Sequence, residues 1–246
     1  MILAIIGGSG LSKFPRLDVT HRQVVQTPYG EPSGPLSFGT LLGTSVVFLP
    51  RHGEAHTIAP HEINYCANLW ALREHKPDAI VSVASVGGIR SDMPPGTVVI
   101  PDQIIDYTWG RKSTYFEGGA PVTHIDFTEP YSQELRVRLL AAARACGEQP
   151  RDRAVYATTQ GPRLETAAEV DRLERDGVDI VGMTGMPEAV LARELGLTYA
   201  AICVVVNFAA GRGESRAGIS LEKIDAVLSQ SLVRVSLIME TLVSSA

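Results

Sequence analysis

Residues 79–88 read Ala-Ile-Val-Ser-Val-Ala-Ser-Val-Gly-Gly. A short Val/Ile run without polar alternation reads as a strand buried on both faces, here over residues 79–83. The small residues that follow let a ligand approach the backbone at the strand's carboxyl end, where open α/β sheets commonly bind ligands. The same segment also reads as a plain tight exit from the strand. Similar apolar runs at residues 2–6, 45–49, 97–100, 179–181 and 199–206 predict further buried strands.

Helical spacing separates several of these runs. Residues 64–74 place Cys66, Leu69, Trp70 and Leu72 at near-helical intervals, and residues 132–146 form an amphipathic Ala/Leu/Arg stretch. Near the carboxyl end, Leu221, Ile224, Leu228, Leu232, Val235, Met239 and Leu242 make one apolar stripe, with Ser220 as its N-cap. Another helix is predicted to open at Pro187, with Glu188 at its positive end. Strands alternating with helices predict a three-layer α/β fold, continuous over 1–246 as one domain. The aromatic, glycine-containing stretch 106–130 is predicted to be a functional or interface loop.

The composition narrows the classes of function. The 246 residues are 45% hydrophobic and 20% charged, a globular balance that excludes disorder and coiled coil. With 22 basic against 27 acidic side chains, the net charge is −5, and no Lys/Arg run suits capture of nucleic acid or anionic lipid. Three scattered cysteines make neither a disulfide framework nor a zinc ligand set, which fits a reducing compartment. The first residues lack a basic segment before their apolar run, and the last stretch carries Glu222, Lys223, Asp225, Arg234 and Glu240. Neither reads as a membrane span, so a cytoplasmic location is expected.

Several turns carry chemistry. Gly7-Gly8-Ser9-Gly10-Leu11 exposes backbone N–H groups and a hydroxyl to an anion, or is an ordinary tight turn. It fails the dinucleotide fingerprint at Lys13, and no Gly-Lys-Ser/Thr follows, so a nicotinamide oxidoreductase and a phosphate-loop ATPase are disfavoured. Arg51-His52-Gly53 offers a planar donor fork and an imidazole to phosphate. The His residues at 52, 56 and 61 lack the carboxylate or cysteine partners of a metal site, and no metal is expected. Gly182-Met183-Thr184-Gly185-Met186-Pro187-Glu188 again joins a strand end, a hydroxyl and a helix start. Glu165 lies on the turn after Gly161-Pro162, and Asn207 ends a very apolar strand.

Taken in order, Gly-Gly-Ser-Gly-Leu, Arg-His-Gly-x-x-His-Thr-Ile-x-Pro, Asn64-Tyr65 with Asn68-x-Trp70-Ala71-Leu72, Ser-Val-Gly-Gly, Thr-Gln-Gly-Pro-Arg and Gly-Met-Thr-Gly-Met-Pro-Glu resemble the trimeric purine nucleoside phosphorylase and methylthioadenosine phosphorylase family. The resemblance runs from Ile5 to the carboxyl-terminal helix. It implies a three-layer α/β/α fold with a central mixed twisted sheet, a homotrimer, and phosphorolysis of a purine nucleoside. Inorganic phosphate is then a co-substrate and no cofactor is needed. Phosphate is expected among Ser9, Arg51, His52, Ser85 and Thr184, with Met183 beneath the ribose and Leu164 against the base, where relatives usually carry Phe.

The adenine-cleaving branch carries an Asp-x-Asp pair where this chain has Asn207-Phe208-Ala209, whereas the 6-oxopurine branch pairs Asn with a Glu at the position of Glu165. A carboxylate accepts the N1–H of hypoxanthine, which neutral adenine lacks; an amide donates to O6 and accepts from a protonated N7. Leu221 aligns where inosine and guanosine phosphorylases place a His, and His56 with a neighbour's His124 resembles the methylthio branch. An apolar lining there favours a methylthio group over a hydroxyl. The expected substrate is 5′-methylthioinosine. The alternatives are a general inosine/guanosine phosphorylase, a methylthioadenosine phosphorylase and, outside enzymes, a non-catalytic nucleoside-binding module.

Overall fold

Alternate residues of the predicted apolar runs face opposite ways in the computed structural model, which describes residues 1–11, 14–119 and 121–245. Along β1 (Ile2–Gly7), Ala4 and Ile6 join one buried cluster while Leu3 and Ile5 join another. Strands β2 (Asp18–Gln23), β3 (Leu36–Leu41) and β4 (Thr44–Pro50) follow, then helix α1 (Tyr65–Glu74) and strand β5 (Ala79–Gly88). Next come β6 (Val98–Val99), β7 (Gln103–Asp106), helix α2 (Gln133–Ala145), β8 (Val155–Thr158) and helix α3 (Ala167–Arg175). The order closes with β9 (Ile180–Gly182), α4 (Glu188–Glu194), β10 (Tyr199–Phe208), a short 3₁₀ turn and α5 (Leu221–Ser244).

Period-two burial gives the layers. Ile80 and Ala84 of β5, with Ala201, Cys203 and Val205 of β10, pack under α1 and α4. Val81, Val83, Ala200, Ile202 and Val204 point to the other face, under α2 and α5. The central sheet is mixed. Strands β1, β4, β5 and β10 pair in parallel, whereas β2–β3, β3–β4, β5–β9 and β6–β10 are antiparallel. The expected α/β/α architecture with a mixed sheet is what forms.

Several boundaries differ from the sequence reading. β5 does not stop at Val83; it pairs with β10 to Gly88, and Gly87 and Gly88 also pair with β9. The small residues therefore form a junction between strands as well as an exit. Pro187 stands at the cap of α4, one residue before the helix begins. The Lys13 that breaks the dinucleotide fingerprint lies outside the described residues. Asp106 ends β7, and the irregular stretch begins at Tyr107.

Helix α5 opens as expected, Ser220 Oγ accepting from Lys223 N at 3.4 Å. It is long and apolar enough to cross a membrane by length and composition. Its second half nevertheless buries Val235, Ile238, Met239 and Leu242 against the sheet, while Ile224, Leu228 and Leu232 are partly covered. Met239→Ala deletes a fully buried side chain and should lower unfolding free energy by about 2–5 kcal/mol, read as a lower urea midpoint with an unchanged slope.

Candidate active site

The ends of β1, β4, β5, β9 and β10 meet around a cavity of about 450 Å³. Gly8 turns the chain at the end of β1 where no side chain fits: a Cβ there would lie 2.6 Å from the Val83 carbonyl and 3.0 Å from Arg51 Nη1. That close approach delivers Ser9 to the cavity beside Arg51 and His52. Ser85, Met183, Thr184, Leu164, Glu165, His56 and Asn207 also stand on its walls.

Arg51 is wholly buried, and its donors are mostly committed to protein. Nε donates to Glu188 Oε2 at 2.7 Å and Nη2 to Glu188 Oε1 at 3.1 Å and Ser82 Oγ at 2.7 Å. Nη1 donates to the Val83 carbonyl at 3.0 Å, and Tyr199 Oη donates to Glu188 Oε1 at 2.8 Å. Burial alone disfavours the cation, but the adjoining Glu188 carboxylate outweighs that and holds Arg51 above its ordinary pKa. Of five guanidinium N–H groups, one on Nη1 remains for the cavity. The bidentate fork expected for phosphate is instead spent on Glu188, which the sequence suggested only as a helix-dipole partner.

His52 Nδ1 lies 2.8 Å from the Ile58 carbonyl. Burial, then the Arg51 charge, pulls its pKa down to about 4, so the ring is neutral near pH 7. A carbonyl only accepts, so Nδ1 carries the hydrogen and Nε2 presents a lone pair. The His56 ring lies 4.7 Å away, centroid to centroid, on a residue whose φ of +54° is unusual for a side chain of that size. Among the described residues, no group of three His, Cys, Asp or Glu is placed to hold a metal.

On the opposite wall, a register shift in β10 between Val205 and Asn207 re-aims the end of the strand. Asn207 thereby lines the cavity, its Nδ2 donating to the Phe208 carbonyl at 2.7 Å. Glu165 sits just before α3, which opens with a capping box of Thr166 and Glu169. Thr-x-x-Glu was the available sequence signal for that helix.

Two expected residues are not brought to the cavity. Leu221 is 68% exposed and is not among the lining residues; Ile219 and Ile224, on either side of the cap, are. Residues three apart lie about 60° apart around a helix. Ile224 points inward, while Leu221 sits in the first turn, beyond the body. His124 is exposed on the long loop, away from its own chain's cavity.

That loop is nonetheless tied to the site by a residue the sequence did not mark. Arg111 Nη1 donates to the carbonyls of Met183 at 2.8 Å and Met186 at 2.7 Å, and Nη2 to Gln160 at 2.8 Å. Nη1 also reaches Tyr65 Oη at 3.2 Å, and Tyr65 donates to the Pro60 carbonyl at 3.0 Å. One guanidinium thus ties the wall at Met183 to the turn at Gln160 and, through Tyr65, to the wall at Pro60. No sequence pattern announces a side chain that serves distant carbonyls.

Comparison with known proteins places this geometry. The model of the phosphorylase superfamily matches residues 2–244. A protein of Pseudomonas syringae pv. tomato named as a probable S-methyl-5′-thioinosine phosphorylase is 51% identical over 235 residues, covering 95% of both chains. The 6-oxopurine nucleoside phosphorylase of Pyrococcus furiosus is 46% identical, covering 85% of this chain and 80% of its own. Among solved structures, methylthioadenosine phosphorylase from Schistosoma mansoni in complex with adenine superposes with a TM-score of 0.93 at 33% identity. That match covers 98% of this chain and 90% of the other.

Two outcomes follow from the buried groups. Glu188→Ala strands the Arg51 charge and should cost about 3–5 kcal/mol of stability, measured by urea unfolding. The unfolded His52 ring takes up a proton near pH 6.5, whereas the folded ring resists it down to about pH 4. Its stabilising contribution is therefore complete above pH 6.5 and is lost as pH falls toward 4. His52→Asn should flatten that part of the stability–pH curve, as read from urea midpoints between pH 4 and 7.

Proposed function

This chain belongs to the phosphorylase superfamily, and from that membership and its cavity we infer that it is a nucleoside phosphorylase acting on 5′-methylthioinosine. The products are hypoxanthine and 5-methylthioribose 1-phosphate. The carrying observation is that Glu165 and Asn207, far apart in sequence, line one cavity with Ser9, His52, Ser85 and Thr184.

In this reading the C1′–N9 bond breaks as a phosphate oxygen bonds to C1′, with positive charge developing on the sugar. Ser9, the Ser85 backbone, Thr184 and the remaining Arg51 N–H hold the phosphate. The His52 Nε2 lone pair suits the P–OH of hydrogen phosphate, whose proton balances the charge on the departing purine. Fixed donors gain here because they need no reorganisation as charge moves. Met183 lies under the ribose and Leu164 against the base. Glu165 accepts N1–H, and Asn207 donates to O6 and accepts from N7–H. An adenine leaves Glu165 Oε2 without a donor once the base has covered it, a penalty of about 1–3 kcal/mol.

The 5′ end is assigned to His56, Ile219 and Ile224 in place of Leu221. The two isoleucines offer no partner to a 5′-hydroxyl and suit a methylthio group. Inorganic phosphate is the co-substrate, and the chemistry calls for no metal or organic cofactor. We read the assembly as a cytoplasmic homotrimer in which the exposed His124 completes a neighbour's 5′ pocket, and the chain as one catalytic domain.

A comparison of kcat/KM for 5′-methylthioinosine, 5′-methylthioadenosine, inosine and guanosine tests this reading, with 5′-methylthioinosine expected to be best. Preference for methylthioadenosine overturns the assignment of the base. Faster cleavage of inosine or guanosine overturns the 5′ assignment and favours the general 6-oxopurine phosphorylase, the class of the Pyrococcus furiosus relative.

A further inference from the structure

We propose that Thr159 is the positioning residue that turns Glu165 into a reader of N1–H, a role resting on the reading of Glu165 as the base-contacting carboxylate. Thr159 is the first residue beyond β8 and does not itself line the cavity. Its backbone N–H donates to the Gly182 carbonyl at 2.8 Å, which docks it on the end of β9. Its hydroxyl lies 2.6 Å from Glu165 Oε1 and 3.3 Å from the same Gly182 carbonyl. A hydroxyl has one hydrogen to give. The shorter contact is to an anionic acceptor, and hydrogen bonds to charged acceptors are the stronger kind. The Gly182 carbonyl already accepts from the backbone, so the hydroxyl hydrogen belongs to Glu165.

This bond does two things to the carboxylate. It fixes the side-chain torsions of a half-buried glutamate, which otherwise samples several rotamers. It also occupies one oxygen only; among the described residues, Glu165 Oε2 accepts no hydrogen bond and is left for a donor on the ligand. A base with N–H at position 1 supplies that donor, and an adenine-type ring presents a lone pair there and is repelled. Thr159 is itself held from behind, since Arg111 Nη2 reaches its carbonyl at 3.3 Å and donates to the next carbonyl, Gln160, at 2.8 Å. The threonine therefore transmits a rigid frame, built from β9 and the long loop, to the one carboxylate that distinguishes keto from amino purines. Its effect is on which base is cleaved, with phosphate handling untouched.

The test is a double-mutant cycle on the full-length protein, reading the ratio of kcat/KM for 5′-methylthioinosine to that for 5′-methylthioadenosine. Thr159→Val keeps the shape and removes the hydroxyl. It should lower the ratio about tenfold, the scale of one hydrogen bond to a charged group, and leave the KM for phosphate unchanged. Thr159→Ser should restore the ratio. In a Glu165→Ala background, Thr159→Val should change the ratio no further. Thr159→Ala serves as a second hydroxyl-free variant should the valine fold poorly, with thermal unfolding followed for each protein. A ratio that survives Thr159→Val yet collapses in Glu165→Ala overturns the role of Thr159 alone. An equal loss from Thr159→Val with and without Glu165 also overturns it, marking a general structural effect. A wild-type ratio that survives Glu165→Ala overturns the base reading itself, and the proposal with it.

Discussion

The buried pair of Arg51 and Glu188 is the constraint around which the site is organised. The two residues are separated by 137 positions, and neither side chain has exposed surface. A guanidinium removed from water has to be matched almost completely, because each unmet donor in a low-dielectric interior is costly. The matching comes from Glu188 at the start of α4, itself held by Tyr199 of β10, and from Ser82 and Val83 in β5, while the Gly7 carbonyl receives the Arg51 backbone N–H at 2.9 Å. The strand ends that form the cavity are thus fixed relative to one another by one ion and its partners. A consequence is that the recess proposed to hold phosphate gains little net positive charge from Arg51, since Glu188 cancels it. Binding an oxyanion there falls mainly to neutral donors held in place, the backbone N–H groups, hydroxyls and the one residual Arg51 hydrogen, and a neutral imidazole with a lone pair belongs to the same design.

The layers were legible in sequence because burial on both faces leaves a mark. Strands β1, β4, β5 and β10 are continuous Val/Ile runs, and the stripe on α5 is continuous over most of its length. What stayed hidden lacks such a mark. β2 is exposed at every position and its only strand partner among the described residues is β3, so its composition carries no periodicity. β7 and β8 are four residues each, too short for a pattern to emerge. The cavity residues announced by glycine-rich turns after strands were found, as each turn needs a residue without a side chain where backbone meets backbone. Leu221 was misplaced because a helical stripe gives a face without saying where the body of the protein ends, and the first turn of α5 extends past it. The bracing by Arg111, the Thr159–Glu165 hydrogen bond and the pairing of Glu188 with Arg51 were not legible at all. Their partners, carbonyls for Arg111, a carboxylate for Thr159 and a guanidinium for Glu188, are brought close only by the folded topology.

Similarity to an adenine-bound methylthioadenosine phosphorylase and to 6-oxopurine enzymes at once is a physical statement about where specificity resides. The backbone of the cavity is dictated by contacts that ignore the base. Gly8 lies against the Val83 carbonyl, Gly161 against Met183 and Gly182 against the Tyr156 hydroxyl, each so close that a Cβ would collide. Such contacts fix the cavity's shape independently of Glu165 and Asn207. In the proposed reading, the base is discriminated by groups mounted on two irregular pieces of the frame: Asn207 after a register shift in β10, and Glu165 on the turn leading into α3. A bulge and a turn accept changes of side chain without disturbing a strand ladder, so the hydrogen-bonding edge can change while the fold does not.

That division also locates the energetic limits of selectivity. Hypoxanthine and adenine have nearly the same size and shape, so a rigid apolar slot separates them poorly; the difference has to come from leaving a buried polar group unmatched. A freely turning carboxylate would escape the mismatch by swinging toward water, and little discrimination would remain. Holding it still is therefore as necessary as having it. In this chain the holding group is a hydroxyl hydrogen-bonded to one carboxylate oxygen, seated on a carbonyl of β9, with Arg111 reaching the carbonyls of Thr159 and Gln160 behind it. In the proposed reading, selectivity for the keto base then depends on the stiffness of that support as much as on the charge of Glu165.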